Sequence, residues 1–141
     1  EVYSVPHGWV ERDQLAFLKK QCELYPHLNT VVLVHHLPQL VNSSWLDTQT
    51  MHNSDEFNSF ISNFSNIKLV HQEYDQFFNG VRYIATPSTS IQFEPFSYDF
   101  ALDMQGPGWR YLRFDRSGGI DTQVFRLPSG RFIPDTGVGG Y

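Results

Sequence analysis

The sequence predicts an α/β fold in which a parallel βαβ unit is followed by antiparallel hairpins. Three observations support this prediction: a continuous apolar run at residues 30–36, an amphipathic segment at residues 54–65, and a second apolar run at residues 67–70. A strand, a helix and a strand in this order form a βαβ unit, whose two strands must lie parallel. Turn signals in the C-terminal half then predict hairpins rather than further crossovers.

The composition bounds the class of protein. The chain has 141 residues, of which 40% are apolar and 16% aromatic, enough to bury the core of one domain. We therefore expect a single domain over residues 1–141, with a Gly- and Pro-rich, loosely held tail at about residues 128–141. Because the chain begins with Glu1 rather than methionine, we expect it to be part of something longer.

Charge and cysteine content narrow the partners and the compartment. A net charge of −5 with scattered basic residues argues against a nucleic-acid polymer as partner. An acidic protein that acts on a phosphate-bearing substrate needs another source of positive charge, and a bound metal is the usual one. No apolar run is long enough for a membrane span, and no signal peptide precedes the first element, so we expect no membrane partner. The single cysteine fits a reducing cytoplasm.

The first predicted element is an amphipathic helix at residues 12–25. Leu15, Leu18 and Cys22 recur there at helical spacing, with polar residues between them. Pro26 ends the helix, since proline disfavours helical geometry in the residue before it. The strand at residues 30–36 follows, and its unbroken apolar character is typical of a central parallel strand that is covered on both faces.

The second helix is predicted over residues 54–65. Asn53 and Glu56 have the spacing of a capping pair at its start. One face carries an apolar stripe, which is typical of a core-facing helix: Phe57, Phe60, Ile61 and Phe64.

Strands dominate the remainder of the chain. After the short strand Ile67–Val70, the dipeptide Asn79-Gly80 predicts the turn of one hairpin, and residues 117–119 predict the turn of another. The tail at 128–141 is then pinned, if at all, by Phe132 and Ile133.

Histidines at the strand ends are the candidate functional residues. The stretch TVVLVHHLPQLV places His35 and His36 at the end of the first strand, and His71 follows the second. Because parallel strands share a carboxyl edge, where α/β folds gather ligands, His36 and His71 are expected to emerge side by side. Imidazole is a common metal ligand, and phosphoester hydrolysis commonly uses two metal ions. In the structural alternative, a strand doublet points one imidazole at the core whatever its role.

The remaining histidines have weaker contexts. His7 and His27 lie beside prolines in turn-like segments, and His52 lies in a loop. We expect none of these three to have a functional role.

Longer motifs resemble a known family. The segments LVHHLPQLVNSSWLD at 33–47, HQEYD at 71–75, NGVRYIATPSTSIQF at 79–93 and PGWRYLRF at 107–114 together resemble the bacterial class III 3′,5′-cyclic-AMP phosphodiesterases. These enzymes are members of the calcineurin-like metallophosphoesterase superfamily. The likeness runs from VPHG at 5–8 to the terminal PDTGVGGY, and it corresponds to the C-terminal part of a family member.

The resemblance implies a fold and an activity. The fold is a four-layer α/β/β/α sandwich of two mixed sheets, of which this chain would form part. The activity is hydrolysis of cyclic AMP to 5′-AMP at a centre of two divalent metal ions, such as iron, manganese, magnesium or zinc. Of the family's ligand motifs, H-H-x-P falls on His35 to Pro38, with His36 as the ligand and His35 as its neighbour. His71 matches the second histidine of G-H-x-H.

The sequence also departs from the family pattern. The glycine, histidine and spacer that should precede His71 are absent, and the chain holds no D-x-H, G-D or G-N-H motif. Two ligands cannot close a coordination shell, so we expect an incomplete metal site, no catalytic residue within the chain, and no turnover by the chain alone. We also expect marginal stability and self-association through an exposed sheet edge.

Further side chains are candidates for lesser roles. Three loop hydroxyls could contact a nucleotide, although such groups more often satisfy nearby backbone: Thr86, Ser88 and Thr89. The loop after the histidine doublet could form a rim over the metal site, through Asn42, Trp45 and Asp47.

Four further residues have weak claims to a functional role. Trp109 and Arg110 are expected to pack and pair on their hairpin, with phosphate recognition as the alternative. Glu73 and Asp75 would serve as acid or base only if held near the metal ions, and the family pattern does not require this.

Three classes of function therefore stay open. The first is a two-metal cyclic-nucleotide phosphodiesterase whose site is completed elsewhere. The second is a non-catalytic remnant or the product of a disrupted reading frame. The third is a binding or regulatory module on the same scaffold. An upstream extension with D-x-H and G-N-H would favour the first.

Overall fold

The fold is taken from a computed structural model of the chain, which describes residues 8–71, 75–131 and 133. The expectations for His7, Glu73 and Phe132 and for residues 134–141 fall outside the described residues. The chain divides into two compact units, one within residues 1–41 and 46–85 and the other within residues 42–45 and 86–141.

The first long helix, α1, spans Arg12–Leu24. Its start is closed by the backbone N–H of Glu11, which donates to Gln14 Oε1 at 2.8 Å. Leu15 and Cys22 are buried and Leu18 packs against them, as the helical spacing predicted. The helix thus ends one residue before its predicted boundary, close to Pro26.

Two further helices follow. A single turn, α2, at Ser44–Asp47 was not predicted. Helix α3 spans Ser54–Ser62, three residues shorter than predicted. Asn53 is its N-cap residue, but the Asn53 side chain makes no capping hydrogen bond to the helix. The capping prediction was therefore right about the boundary and about the pairing of Asn53 with Glu56, since Asn53 Nδ2 donates to Glu56 Oε2 at 3.1 Å. It was wrong about capping of the helix backbone by the Asn53 side chain.

The first unit contains a four-stranded sheet with strand order β1-β2-β4-β3. The strands are β1 Thr30–Leu33, β2 Ile67–His71, β3 Asp75–Phe78 and β4 Val81–Ile84. The pairs β1–β2 and β2–β4 are parallel, and β3–β4 is antiparallel. The predicted parallel βαβ unit, formed by β1, α3 and β2, is confirmed.

Strand β1 corrects two expectations. It ends at Leu33 rather than at residue 36, and within the described residues it pairs only with β2, so it is an edge strand and not a central one. Leu33 is 74% exposed, so the strand is not covered on both faces. The apolar run did not predict the position of the strand, because it shows which side chains are apolar and not how many strands lie beside them. It extends past the end of β1 because Val34 contributes to the core outside the strand.

One face of the sheet carries the core of this unit. Helices α1 and α3 both contribute to a single buried cluster on that face, which explains why each helix has an apolar stripe. The buried members of this cluster are Leu15, Cys22, Met51, Phe57, Ile61, Ile67, Val81 and Tyr83, and Phe60 and Phe64 pack against it.

The opposite face is partly open. Phe77 pairs with Arg82 across β3 and β4, the guanidinium lies 5.5 Å from the Phe77 ring centre, and Phe77 is 73% exposed. Arg82 also forms a two-bonded ion pair with Asp75, at 2.8 and 2.9 Å. Together with Leu33, Phe77 therefore leaves apolar surface exposed on this unit.

The second unit is built from two small antiparallel pairs. They are β5 Gln92–Phe93 with β6 Leu102–Asp103, and β7 Gly108–Phe114 with β8 Ile120–Arg126. An aromatic cluster anchors the unit, since the Trp45 ring packs edge-on against Phe93 and Phe100 at 5.0 and 5.1 Å.

Both hairpin predictions are confirmed. Asn79 and Gly80 have φ angles of 48° and 79°, the left-handed geometry that a two-residue hairpin requires. In the second hairpin the Asp115 side chain holds the turn, by accepting hydrogen bonds from Ser117 Oγ and the Gly119 backbone N–H. These hydrogen bonds lower the pKa of the Asp115 carboxyl.

The described residues thus form a mixed α/β structure, as predicted, and its sheets are small and its helices few. The four-layer sandwich remains an expectation from the resemblance. No helix in the described ranges has the length and apolar character needed to span a membrane.

Candidate functional site

The candidate site lies at the carboxyl edge of β1 and β2. In the parallel register Leu33 pairs with His71, so both strands end at the same edge, as the βαβ unit requires. His71 is the last residue of β2, but its side chain is outside the described part of the structure. His36 does not close β1; it lies in a bend three residues beyond Leu33.

The His36 imidazole is oriented by one hydrogen bond. Its Nδ1 lies 3.0 Å from the backbone carbonyl oxygen of Gln49. A carbonyl oxygen can only accept, so Nδ1 must carry the proton, and Nε2 then presents its lone pair. Metal-binding histidines are commonly held in this way, with one ring nitrogen donating to a carbonyl and the other available to the ion. The chemistry of His36 therefore fits a metal ligand.

The carbonyl that orients His36 is itself fixed in place. The Gln49 N–H donates to Leu46 O at 2.9 Å, and two residues later the Met51 N–H donates to Leu37 O at 2.8 Å. The second bond ties this loop directly to the residue after His36. Met51 is also buried in the core, so the segment is held from both the backbone and the side chain.

Gly8 closes the other side of the His36 side chain. A Cβ built on Gly8 would lie 2.7 Å from the Cβ of His36, and it would be closer still to ring atoms Cγ and Cδ2. Real Cβ atoms do not approach other atoms so closely, so only glycine permits this contact. The backbone at Gly8 therefore packs directly against the imidazole.

The loop that orients His36 also anchors the segment that contains Gly8. The His52 N–H donates to Gly8 O at 2.8 Å. The Asn53 side chain accepts from the Val10 N–H at 3.0 Å and donates to Val10 O at 2.8 Å. Trp9 stacks on the His52 ring, with centroids 5.4 Å apart. The loop of residues 49–53, called the anchor loop below, thus joins His36 to residues 8–10.

A buried network supports the turn that follows His36. Tyr83, which is 1% exposed, donates its hydroxyl to Asn58 Oδ1 at 2.8 Å, and Asn58 Nδ2 donates to Pro38 O at 2.7 Å. Burial raises the pKa of the Tyr83 phenol, because it disfavours the charged form. The network links β4, α3 and the H-H-x-P segment.

The other histidines contribute less to the site. His35 is exposed, and its ring meets that of His36 edge-on at 4.9 Å, so it is a neighbour as expected. His27 is exposed in a turn. His52 supports Trp9 and Gly8, which is a structural role of the kind expected.

The candidate nucleotide contacts lie in the second unit. The Ser88 hydroxyl accepts the Ser90 N–H at 3.0 Å, and the Ser88 backbone exchanges hydrogen bonds with the Gln92 side chain. Ser88 thus satisfies local backbone, the alternative raised from the sequence. Thr89 is exposed and Thr86 half-buried, so both hydroxyls stay candidates only.

The predicted rim residues have structural partners. Asp47 Oδ1 accepts the Val41 N–H at 2.8 Å. Trp45 Nε1 donates to Ser97 Oγ at 2.9 Å within the second unit, where its ring is part of the aromatic cluster. Asn42 is exposed and has a φ angle of 59°. Trp45 and Asp47 therefore have local structural roles, and a contact with ligand stays a prediction.

Three further predictions concern paired residues. Trp109 stacks on Phe125 at 5.4 Å, and Arg110 donates to Thr122 Oγ1 at 2.9 Å, so both pack and pair on the hairpin as expected. Asp75 forms an ion pair with Arg82, and a role as acid or base near metal ions stays a prediction.

The metal site can be tested against the donor groups. Among residues 8–71, 75–131 and 133, no group of three or more His, Cys, Asp and Glu side chains lies close enough to hold a metal ion. His36 therefore fits as a single ligand, whereas the described residues by themselves do not fit a complete two-metal centre.

Sequence reasoning missed three contributors to this site. Gln49 acts through its carbonyl, so its side chain gave no signal. Asn53 had been assigned to helix capping. Gly8 lay within the quoted segment VPHG, 28 residues before His36, and no sequence signal linked the two residues.

Comparisons with known proteins agree on one family. The chain is 43% identical over its whole length to the 3′,5′-cyclic adenosine monophosphate phosphodiesterase CpdA of Vibrio vulnificus, and 39% identical to that of Escherichia coli K12. It is 32% identical, over 86% of its length, to a 3′,5′-cyclic-nucleotide phosphodiesterase of Nostoc. The chain spans about half the length of these relatives, at 53%, 53% and 48%. No protein-family model matches the chain.

Proposed function

Because the chain belongs to the family of bacterial 3′,5′-cyclic-AMP phosphodiesterases, we propose that it carries part of a metal site that hydrolyses cyclic AMP to 5′-AMP. The observation that carries this proposal is the orientation of His36. Its Nδ1 proton is committed to the Gln49 carbonyl at 3.0 Å, and its Nε2 lone pair is left for an electrophile.

The proposed site would hold two divalent metal ions, drawn from iron, manganese, magnesium or zinc, with His36 and His71 among the ligands. Metal ions of this kind supply the positive charge that activates water and offsets the charge of a phosphodiester. The chain supplies His36 in a fixed tautomer, backed by the anchor loop. The end of β2 supplies His71 at the same edge of the sheet as the end of β1.

We propose further that the chain alone does not turn over cyclic AMP. Two histidines cannot complete the coordination shell of even one ion, and water would occupy the remaining positions without holding the metal tightly. The lack of a three-residue donor group within the described ranges supports this part of the proposal. In this view the site is completed by groups that this sequence does not contain.

A non-catalytic remnant is the second candidate, and the same donor count favours it. The two candidates differ in what His36 does. In the phosphodiesterase His36 contacts metal, whereas in a remnant or binding module its hydrogen bond to Gln49 is structural only.

The substrate contacts and setting are also proposals. A nucleotide would meet the loop hydroxyls of Thr86, Ser88 and Thr89. We place the protein in the cytoplasm because its single cysteine forms no disulfide within the chain and is buried.

Paramagnetic Mn²⁺ tests the proposed role of His36, because it broadens NMR signals of the ring that it contacts even when binding is weak. Mn²⁺ titrated into protein with ¹⁵N-labelled histidine is expected to broaden the His36 ring signals before those of His27. The His36→Ala variant should lose this binding, while His35→Ala, the matched control at the neighbouring exposed position, should keep it. Equal broadening of His36 and His27 would remove His36 from the metal site.

Turnover tests whether the site in this chain is incomplete, whereas contact between His36 and Mn²⁺ separates the two candidate functions. The purified chain is incubated with cyclic AMP and Mn²⁺, and 5′-AMP is measured against a metal-only blank. No product is expected from the chain alone. Product above the blank would contradict the proposal that the site is incomplete.

A further inference from the structure

We infer that Gly8 is a positioning residue for His36: its missing side chain lets the backbone at residue 8 seat the imidazole against the Gln49 carbonyl, so that Nε2 is presented in one direction. The reason for orienting His36 rests on the proposed function, since a metal ligand needs an oriented lone pair. The contacts that support the inference all lie within the first unit.

The steric argument concerns the part of His36 that cannot move. A Cβ on Gly8 would come within 2.7 Å of the His36 Cβ, which is attached to the backbone, and nearer still to Cγ and Cδ2. A clash with the tip of a flexible side chain is relieved by a change of rotamer. A clash with Cβ and Cγ requires a shift of the backbone at residue 8 or residue 36.

Such a shift would act on the hydrogen bond that fixes the tautomer. The distance from His36 Nδ1 to Gln49 O is 3.0 Å, and N–H···O bonds weaken quickly beyond about 3.2 Å. A displacement of a few tenths of an ångström therefore releases the proton on Nδ1. The ring can then place that proton on either nitrogen, and Nε2 is no longer a fixed acceptor.

Residue 8 cannot easily move away to make room. Its carbonyl is held by the His52 N–H, and both backbone groups of Val10 are held by the Asn53 side chain. These anchors belong to the same loop that supplies the Gln49 carbonyl. Gly8 and Gln49 therefore contact the imidazole from two segments that the anchor loop holds together.

The test compares Gly8→Ala with the unchanged chain by ¹⁵N NMR of the histidine rings, at about pH 8 where histidine is neutral. The long-range ¹H–¹⁵N pattern identifies which nitrogen carries the proton. The unchanged chain is expected to show His36 with the proton on Nδ1. Gly8→Ala is expected to show a mixed or reversed tautomer. Mn²⁺ affinity at His36 should fall by about 10–100-fold, the usual effect of losing a ligand's orienting partner.

Gly80→Ala is the matched control for a general loss of stability. A Cβ at Gly80 meets nothing within 4 Å, but its φ angle of 79° is strained for alanine, so this variant is destabilised without touching His36. It should keep the Nδ1–H tautomer. If Gly8→Ala does not fold, Asn53→Ala decides, because it adds no atoms and releases Val10; it should also lower the Nδ1–H fraction.

The outcomes of this experiment test the role of Gly8 and the role of His36 separately. If Gly8→Ala folds and keeps the Nδ1–H tautomer, the proposed role of Gly8 is wrong. If Gly8→Ala does not fold, retention of this tautomer in Asn53→Ala has the same consequence. A changed tautomer with unchanged Mn²⁺ affinity would support the positioning role and refute His36 as a metal ligand.

Discussion

Removing the hydroxyl of Tyr83 should measure how strongly the buried core supports the turn that follows His36. Tyr83→Phe deletes one oxygen and leaves the aromatic ring. The hydroxyl is the donor to Asn58 Oδ1 at 2.8 Å, and Asn58 in turn donates to Pro38 O at 2.7 Å. Tyr83 is 1% exposed and Asn58 8% exposed, so water cannot readily replace the lost donor.

The magnitude follows from this burial. A buried acceptor left without its donor costs about 1–3 kcal/mol of the free energy of unfolding. An entropy of unfolding of about 2 cal/mol/K per residue gives about 0.3 kcal/mol/K for a chain of 141 residues. We therefore expect the melting temperature to fall by about 3–10 °C. The ring still fills its space, so the cavity term is small.

Thermal unfolding followed by circular dichroism provides the assay, with Tyr111→Phe as the matched control. Tyr111 is 55% exposed on β7, and surface changes of this kind cost at most about 0.5 kcal/mol. A melting temperature for Tyr83→Phe as close to that of the unchanged chain as the control's would refute the claim that the network is stabilising.

The pH dependence of the free energy of unfolding provides a second, independent test of Tyr83→Phe. Burial raises the pKa of Tyr83 in the folded state, so the unfolded chain loses the phenol proton first, near pH 10. The stabilising effect of Tyr83 is therefore complete below about pH 10 and declines as the pH rises through the folded-state pKa. The difference in stability between the unchanged chain and Tyr83→Phe should narrow above that pH, and a constant difference would contradict the assignment.

Two further predictions concern a buried thiol and an exposed strand. Burial raises the pKa of the Cys22 thiol, which is 2% exposed, so alkylation by iodoacetamide at about pH 8.5 should be much slower in the folded chain than in urea. Mass spectrometry measures the rates, with Cys22→Ser as the unlabelled control, and equal rates would place the thiol at the surface. Leu33 is 74% exposed on the edge strand β1 and should promote self-association. Leu33→Lys should therefore lower the average mass measured by sedimentation at high protein concentration. Unchanged sedimentation would show that this surface does not mediate self-association.

The elements that could be predicted from the sequence are those with a local signal. The stripe at Phe57 and Ile61 gave α3, and Asn79-Gly80 gave the first hairpin, because each depends on neighbours within a few residues. The parallel pairing of β1 and β2 followed from the order of the elements. Strand position did not follow, since the apolar run at residues 30–36 gave no information about the number of strands beside it.

In the candidate site, too, only the residues with a local sequence signal could be predicted. His36 was identified from its motif, and the structure adds a tautomer that no pattern could have given. The partners that create this tautomer are a backbone carbonyl at residue 49 and a glycine at residue 8, separated from His36 by 13 and 28 residues. Neither uses a distinctive side chain, so spacing alone could not single them out. Asn53 misled for a related reason: an asparagine at a helix start is most often a cap, and here a distant backbone segment competes for its amide.

The anchor loop has a bearing on how this part of the chain can vary in length. The five residues 49–53 contact the imidazole on one side and the backbone of residues 8–10 on the other, through hydrogen bonds of 2.8–3.0 Å. Inserting or deleting one residue there would put the two attachments out of step, and no rotamer change could restore both. A change of length is therefore not expected to be tolerated between these two points of attachment.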